Sequence, residues 1–236
     1  MSDQEPPVRV TVFASSTPQT SPAFTAASAE FGKLLANAGG HIVFGGGNAG
    51  CMGAVFNAVL EAGGKVHGIT HRMFCKPGGS SLTEENAADL ESLEIVEGRD
   101  LTMRKRRLLD AGDCLVTLPG GVGTFDELFM AIAERGVGCS DLPVLILNTD
   151  GYYDGSIAQL TAALDGGMLR KHWTEYVDVV TTPEAAVAWC LKQKRRRREP
   201  PPATVESSSY LHGLIHGAVM AAGAAAAIGL ALMHRR

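Results

Sequence analysis

The sequence contains no CxxC pair, and its five cysteines, at 51, 75, 114, 139 and 190, make an odd set. Cys51, Cys114 and Cys190 lie inside apolar runs, where a free thiol packs as a small hydrophobe. A disulfide framework is therefore excluded, and a reducing compartment is expected. Metal-ligand spacing is also missing. The seven histidines form no HExxH pattern, and His212 and His216, four apart, are two ligands without a third, so no metal site is expected. Excess positive charge is absent, since the formal net charge is -4, and nothing points to nucleic acid as a partner. No basic stretch leads into an apolar core near residue 1, so no secretory signal is expected and the protein is read as cytoplasmic.

What is present suits a packed protein. The 236 residues are 45% apolar and 19% charged, which fits one compact domain with an additional segment. Short β-branched runs alternate with helical patterns along the body. Strands are expected at 8–13, 41–44, 65–70, 93–96, 114–118, 142–147 and 177–180. Helices are expected at 22–38, 52–62, 100–111, from the glycine loop to about 134, at 153–164 and at 183–193. Repeated strand–helix units of this size imply an α/β fold, a doubly wound parallel sheet with helices on both faces. Ligands of such sheets sit beyond the carboxyl ends of the strands, where the glycines near 45 and 120 fall.

Beyond residue 193 the composition changes. Residues 194–209 are a basic block followed by a Pro/Ser-rich linker. Residues 210–233 form an apolar, Ala/Gly-rich stretch about long enough to cross a bilayer core, which needs roughly 20 residues. A tail anchor that leaves the 1–193 domain facing the cytosol is expected from its length and flanks.

The chemistry concentrates in Pro119-Gly120-Gly121-Val122-Gly123-Thr124-Phe125-Asp126-Glu127. The segment follows a strand and opens a helix, so its glycines let backbone amides approach an anion that the helix dipole favours. No Lys-Ser or Lys-Thr pair follows the glycines, which excludes a Walker A loop and favours a monophosphate. Glu127 lies one turn past Gly123 and can reach toward a bound ligand. Equally, Thr124 as N-cap with Glu127 three residues later would form a capping box. Gly45, Gly47 and Gly50 satisfy GxGxxG, but no acidic residue follows about 20 positions on to hold a ribose hydroxyl, which argues against a dinucleotide.

PGGVGTFDE resembles the PGGxGTxxE signature of the Lonely Guy proteins, the cytokinin-activating phosphoribohydrolases. The resemblance runs over most of residues 8–192. Gly45-Gly46-Gly47-Asn48-Ala49-Gly50-Cys51-Met52-Gly53 is similar to that family's GGGxxGLMG, with Cys51 in place of Leu. Asp100, Arg104 and Lys105 fall where the family carries an acidic residue and an Arg-Lys pair, and residues 148–153 resemble its LNxDGYY segment. The first-strand turn reads Phe13-Ala14-Ser15-Ser16 where the family has Cys-Gly-Ser-Ser.

The resemblance implies a Rossmann-like homodimer, without a cofactor, that cleaves the N-glycosidic bond of N6-modified adenosine 5′-monophosphates to free base and ribose 5-phosphate. It implies Arg104 and Glu127 as the catalytic pair. Ser15, Ser16, Gly46, Gly47, Lys105, Gly120, Gly121, Gly123, Thr124 and Asp126 would line the substrate site, together with Arg104. A further substrate-contacting glutamate would fall at Glu84 or Glu85, or at neither. Arg104 stays protonated and so serves to clamp phosphate or to orient Glu127 rather than to donate a proton. Proteins with this signature have also been labelled lysine decarboxylases. Lys33, Lys65, Lys76 and Lys105 lack the setting that pyridoxal chemistry needs. A non-catalytic nucleotide carrier or sensor remains the rival reading, since it would use the same loop.

Overall fold

A computed structural model describes residues 7–76, 81–83 and 90–193. Glu84, Glu85 and the 194–209 and 210–233 segments lie outside the described residues. Among the described residues no helix is long and apolar enough to cross a membrane.

Among the described residues seven strands occur: β1 (Arg9–Phe13), β2 (His41–Phe44), β3 (Val66–His71), β4 (Ser92–Val96), β5 (Cys114–Thr117), β6 (Val144–Leu147) and β7 (Asp178–Val180). Six α-helices alternate with them: α1 (Pro22–Asn37), α2 (Gly50–Glu61), α3 (Thr102–Ala111), α4 (Val122–Val137), α5 (Asp154–Asp165) and α6 (Pro183–Leu191). All pairings are parallel, in the order β4-β3-β2-β1-β5-β6-β7. The expected doubly wound sheet is thus observed, with most ends displaced by one or two residues, as fraying helix turns usually are.

Parallel strands covered on both faces read as near-continuous apolar runs rather than alternating ones, and those of the centre do, with Thr11 and Thr117 buried among their apolar residues. Val10, Val12, Ile42, Phe44, Val66, Cys114, Val116, Leu145 and Leu147 pack with α1, α2 and α6 in one core. Phe13, Val43, Ile69, Leu115, Val144 and Ile146 pack with α3, α4 and α5 in the other. The order reverses at β1, whose two neighbours are β2 and β5. Chains leaving β1 and its neighbours therefore diverge and open a crevice at their carboxyl ends.

The first face depends on close approach of α1 and α2. Gly32 of α1 sits so near α2 that an added Cβ would lie 2.7 Å from the Val55 carbonyl oxygen. Gly32→Ala should gain helix propensity of about 1 kcal/mol, yet lose more by forcing backbone apart, for a net destabilisation of about 1–2 kcal/mol. A urea unfolding midpoint at or above that of the wild type would contradict this packing account.

Candidate active site

Three strand ends meet at the crevice. After β1 the chain turns at Ser15, whose N–H donates to the Pro119 carbonyl (3.0 Å) and whose carbonyl accepts from the Met52 N–H (2.8 Å). Leu118 N–H also donates to the Phe13 carbonyl (2.9 Å), so the turn after β1 and the loop after β5 are locked together. Gly50 closes against this turn. Its φ is +60°, and a Cβ there would stand 2.7 Å from the Ser15 carbonyl oxygen, which only glycine tolerates. Ser16 is exposed beside Gly47, a built Cβ on Gly47 falling 3.1 Å from that of Ser16. The Ser15 hydroxyl is engaged locally, with the Thr20 hydroxyl (2.8 Å) and the Thr17 N–H (3.2 Å). Ser15 thus shapes its own turn, a use that its position in the sequence did not reveal.

After β2, Gly46 has φ +83° and lies against Thr70 of β3, while the Gly47 N–H points at the Met52 sulfur (3.1 Å). After β5 the loop enters α4 with Gly121 as N-cap and Val122 as first helical residue. The capping-box alternative is therefore corrected. Thr124 already lies inside the first turn, and its side chain packs on Gly120, where any Cβ would collide with it. Gly121 and Gly123, by contrast, have open space around their α-carbons. No side chain caps the helix and no acidic residue occupies its first turn. Its leading amides remain available to an outside anion.

Glu127 is drawn toward α3 instead of bracing its own helix. Its Oε1 accepts from Arg104 Nη1 at 3.2 Å, and both residues are buried, 8% and 6% exposed. Arg104 donates besides from Nη2 to the Gly45 carbonyl (3.0 Å) and from Nε to the Ile69 carbonyl (3.2 Å). Its guanidinium also lies over the Phe74 ring, 5.5 Å from the centroid, within cation–π range. One planar fork therefore ties α4 to the ends of β2 and β3. With one donor of each guanidinium nitrogen so engaged, Arg104 holds Glu127 beside the ends of β2 and β3.

Burial pushes the Glu127 carboxyl above its ordinary range, partly offset by the Arg104 charge. Burial likewise lowers Arg104, with Glu127 opposing. Beside this pair, Lys105, the residue after Arg104, pairs with Asp126, the residue before Glu127, at 2.9 Å, the Asp126 side chain 60% exposed. Asp100, before α3, accepts from the Thr102 N–H at 2.8 Å, and that bond holds its carboxyl below the usual value.

Two residues of importance were not singled out in the sequence. Tyr153 donates its hydroxyl to the Leu118 carbonyl (2.7 Å), and Tyr152 donates to the Gly120 carbonyl. The signal was present as the segment 148–153, in which the Asn148 side chain takes the Tyr153 N–H (2.7 Å) and donates to Asp154 (2.8 Å). A cavity of about 480 Å³ lined by Arg135, Gly138, Arg170, Lys171 and Tyr176, among others, lies at the far end of α4, roughly 20 Å from the loop by helix rise. It is remote from this constellation.

Residues 52–190 match the sequence model of a family described as possible lysine decarboxylase. A cytokinin riboside 5′-monophosphate phosphoribohydrolase of Arabidopsis thaliana is 34% identical over 162 residues, 69% of this chain and 68% of that protein. The enzyme of that name from Mycobacterium tuberculosis is 33% identical, over 69% of this chain and 83% of its own. Among solved structures, TM1055, a structural-genomics target, superposes with a TM-score of 0.58 at 28% identity, covering 78% of this chain and 99% of its own. The molybdenum cofactor carrier protein of Chlamydomonas reinhardtii superposes at 0.55 with 21% identity, over 79% and 99% of the two chains, a likeness of fold alone.

Removing Arg104 should leave a buried carboxylate without its partner. Arg104→Ala is expected to cost about 3–5 kcal/mol, and Glu127→Gln added to it should recover part of the loss. Denaturant titration of the wild type, both single variants and the double variant measures the coupling. Strictly additive losses would mean that the two side chains do not act as a pair.

Proposed function

The chain belongs to the family of the cytokinin riboside 5′-monophosphate phosphoribohydrolases, and from that membership we propose that it hydrolyses the N-glycosidic bond of N6-modified adenosine 5′-monophosphates. The products are the free base and ribose 5-phosphate. The observation that carries the reading is a buried carboxylate, Glu127, held by Arg104 one helical turn from an uncapped, glycine-lined helix start.

Phosphate sits at the amides of Gly121–Thr124, and this fixes the ribose in the crevice. As the C–N bond breaks, positive charge develops on the sugar ring, and the Glu127 carboxylate stabilises it while accepting a proton from the attacking water. The water oxygen bonds to the anomeric carbon, and the electron pair of the broken bond leaves with the base, which takes up a proton. Arg104 supplies no proton. It keeps Glu127 Oε1 occupied, so that Oε2 is the oxygen free for the reaction. Of the four lysines noted above, two are held in ion pairs, Lys65 with Glu91 (3.4 Å) and Lys105 with Asp126 (2.9 Å). That arrangement favours hydrolysis over the decarboxylase label.

Release of free base from N6-modified adenosine monophosphates tests the reading. Glu127→Gln should lower kcat about 100- to 1,000-fold while ribose 5-phosphate still binds. Because burial raises the Glu127 carboxyl, its ionised form is complete only above that raised value. The rate should then fall as pH drops through a point above the ordinary glutamate range. A wild type that binds the nucleotide without turnover would favour the carrier or sensor.

Self-association fits the same surface. Val122 is 85% exposed and Phe129 36% exposed, and seven residues apart they share one face of α4. A homodimer formed across this face should be seen by light scattering, and Val122→Asp with Phe129→Asp should convert it to monomer. A monomeric wild type removes the idea.

A further inference from the structure

We propose that Tyr152 is a positioning residue of the phosphate cradle: by holding the Gly120 carbonyl, its hydroxyl turns the Gly121 N–H toward the bound anion. The inference rests on reading residues 119–127 as the phosphate site.

In a planar trans peptide, the carbonyl of one residue and the N–H of the next point in opposite directions. The Gly120 carbonyl accepts from the Tyr152 hydroxyl, so the Gly121 N–H is directed away from the tyrosine. Two adjacent glycines give this peptide unit little intrinsic preference, and rotation of the unit would be cheap. Open space around the Gly121 α-carbon offers no steric barrier. Something outside the loop must choose the orientation. Thr124 packs its side chain against the Gly120 α-carbon and restrains its position.

Tyr152 is itself well placed to act as a fixed donor. Its ring meets Phe24 edge-on at 5.1 Å, Tyr153 edge-on at 5.0 Å and Phe125 in a stacked arrangement at 6.4 Å. Asp150 and Gly151, with φ of 51° and 71°, take two successive left-handed steps just before it. The turn they make delivers the two consecutive tyrosine hydroxyls to the Leu118 and Gly120 carbonyls of one loop. Desolvation raises the Tyr152 phenol further above neutrality, so it remains a proton donor.

The two tyrosines differ in burial, and this separates their roles. Tyr153 is fully buried and supports the core, whereas Tyr152 is 37% exposed. The Tyr152–Gly120 hydrogen bond is only part-buried, so its removal costs folding little. The bond therefore matters through the direction it imposes on the neighbouring amide.

The test compares wild type, Tyr152→Phe and Tyr153→Phe by calorimetric titration with ribose 5-phosphate and, separately, with adenine. Tyr152→Phe should bind ribose 5-phosphate about 5- to 10-fold more weakly, bind adenine as the wild type does, and keep its thermal midpoint. In turnover, KM for the monophosphate should rise by more than kcat falls. Tyr153→Phe should lower the midpoint instead. Unchanged ribose 5-phosphate affinity in Tyr152→Phe would overturn the proposal, as would a lowered midpoint with parallel loss of both ligands. Failure of the wild type itself to bind ribose 5-phosphate would overturn the phosphate reading of the loop and this inference together.

Discussion

The structure turns on the burial of one guanidinium. Arg104 brings a full charge beneath the surface and satisfies it with two strand-end carbonyls, one carboxylate and one aromatic face. A cation so placed is costly unless every direction is met, and the surroundings are built accordingly. Gly45 is glycine because the guanidinium occupies the place of its side chain. Glu127 is drawn off its own helix axis for the same reason. Few substitutions near this group can be independent of it, since the Gly45 backbone, the end of β3 and the first turns of α4 share a single donor set.

How much of this was legible in the sequence depends on the distance over which each contact acts. The strand–helix alternation and the sheet class follow from local patterns, because a doubly buried strand needs an apolar run wherever it sits. The glycine loop before α4 was equally clear, since its chemistry is contained in nine consecutive residues. The start of α4 was less so. Thr124 and Glu127 carry the spacing of a capping box, and only Arg104, 23 positions earlier in the chain, decides that Glu127 faces α3.

The tyrosines at 152 and 153 show the same limit from the other side. Each acts on a carbonyl more than 30 residues away, and no periodicity announces a hydroxyl bound to a distant main chain. The place of Ser15 after β1 suggests a group for the ligand, while in the structure its hydroxyl makes short-range bonds to Thr17 and Thr20. Small polar residues at turns are apt to serve the turn first. The glycine loop stands where its sequence places it, at the carboxyl end of β5 and the start of α4; the distant side chains that hold it are legible only in the structure.

The reversal of strand order at β1 has a consequence for how the chain is made. Val10 must wait for Cys114 before its second edge is covered, an interval of about 100 residues, or on the order of 5–20 s at usual rates of ribosomal elongation. During that time the emerging chain can assemble only the half built on β2 and β3, with one flank of its first strand bare. Such a half-sheet leaves an apolar strand edge open to pairing with other chains and carries none of the later glycine loop, so the candidate site is completed only after β5 has joined the sheet.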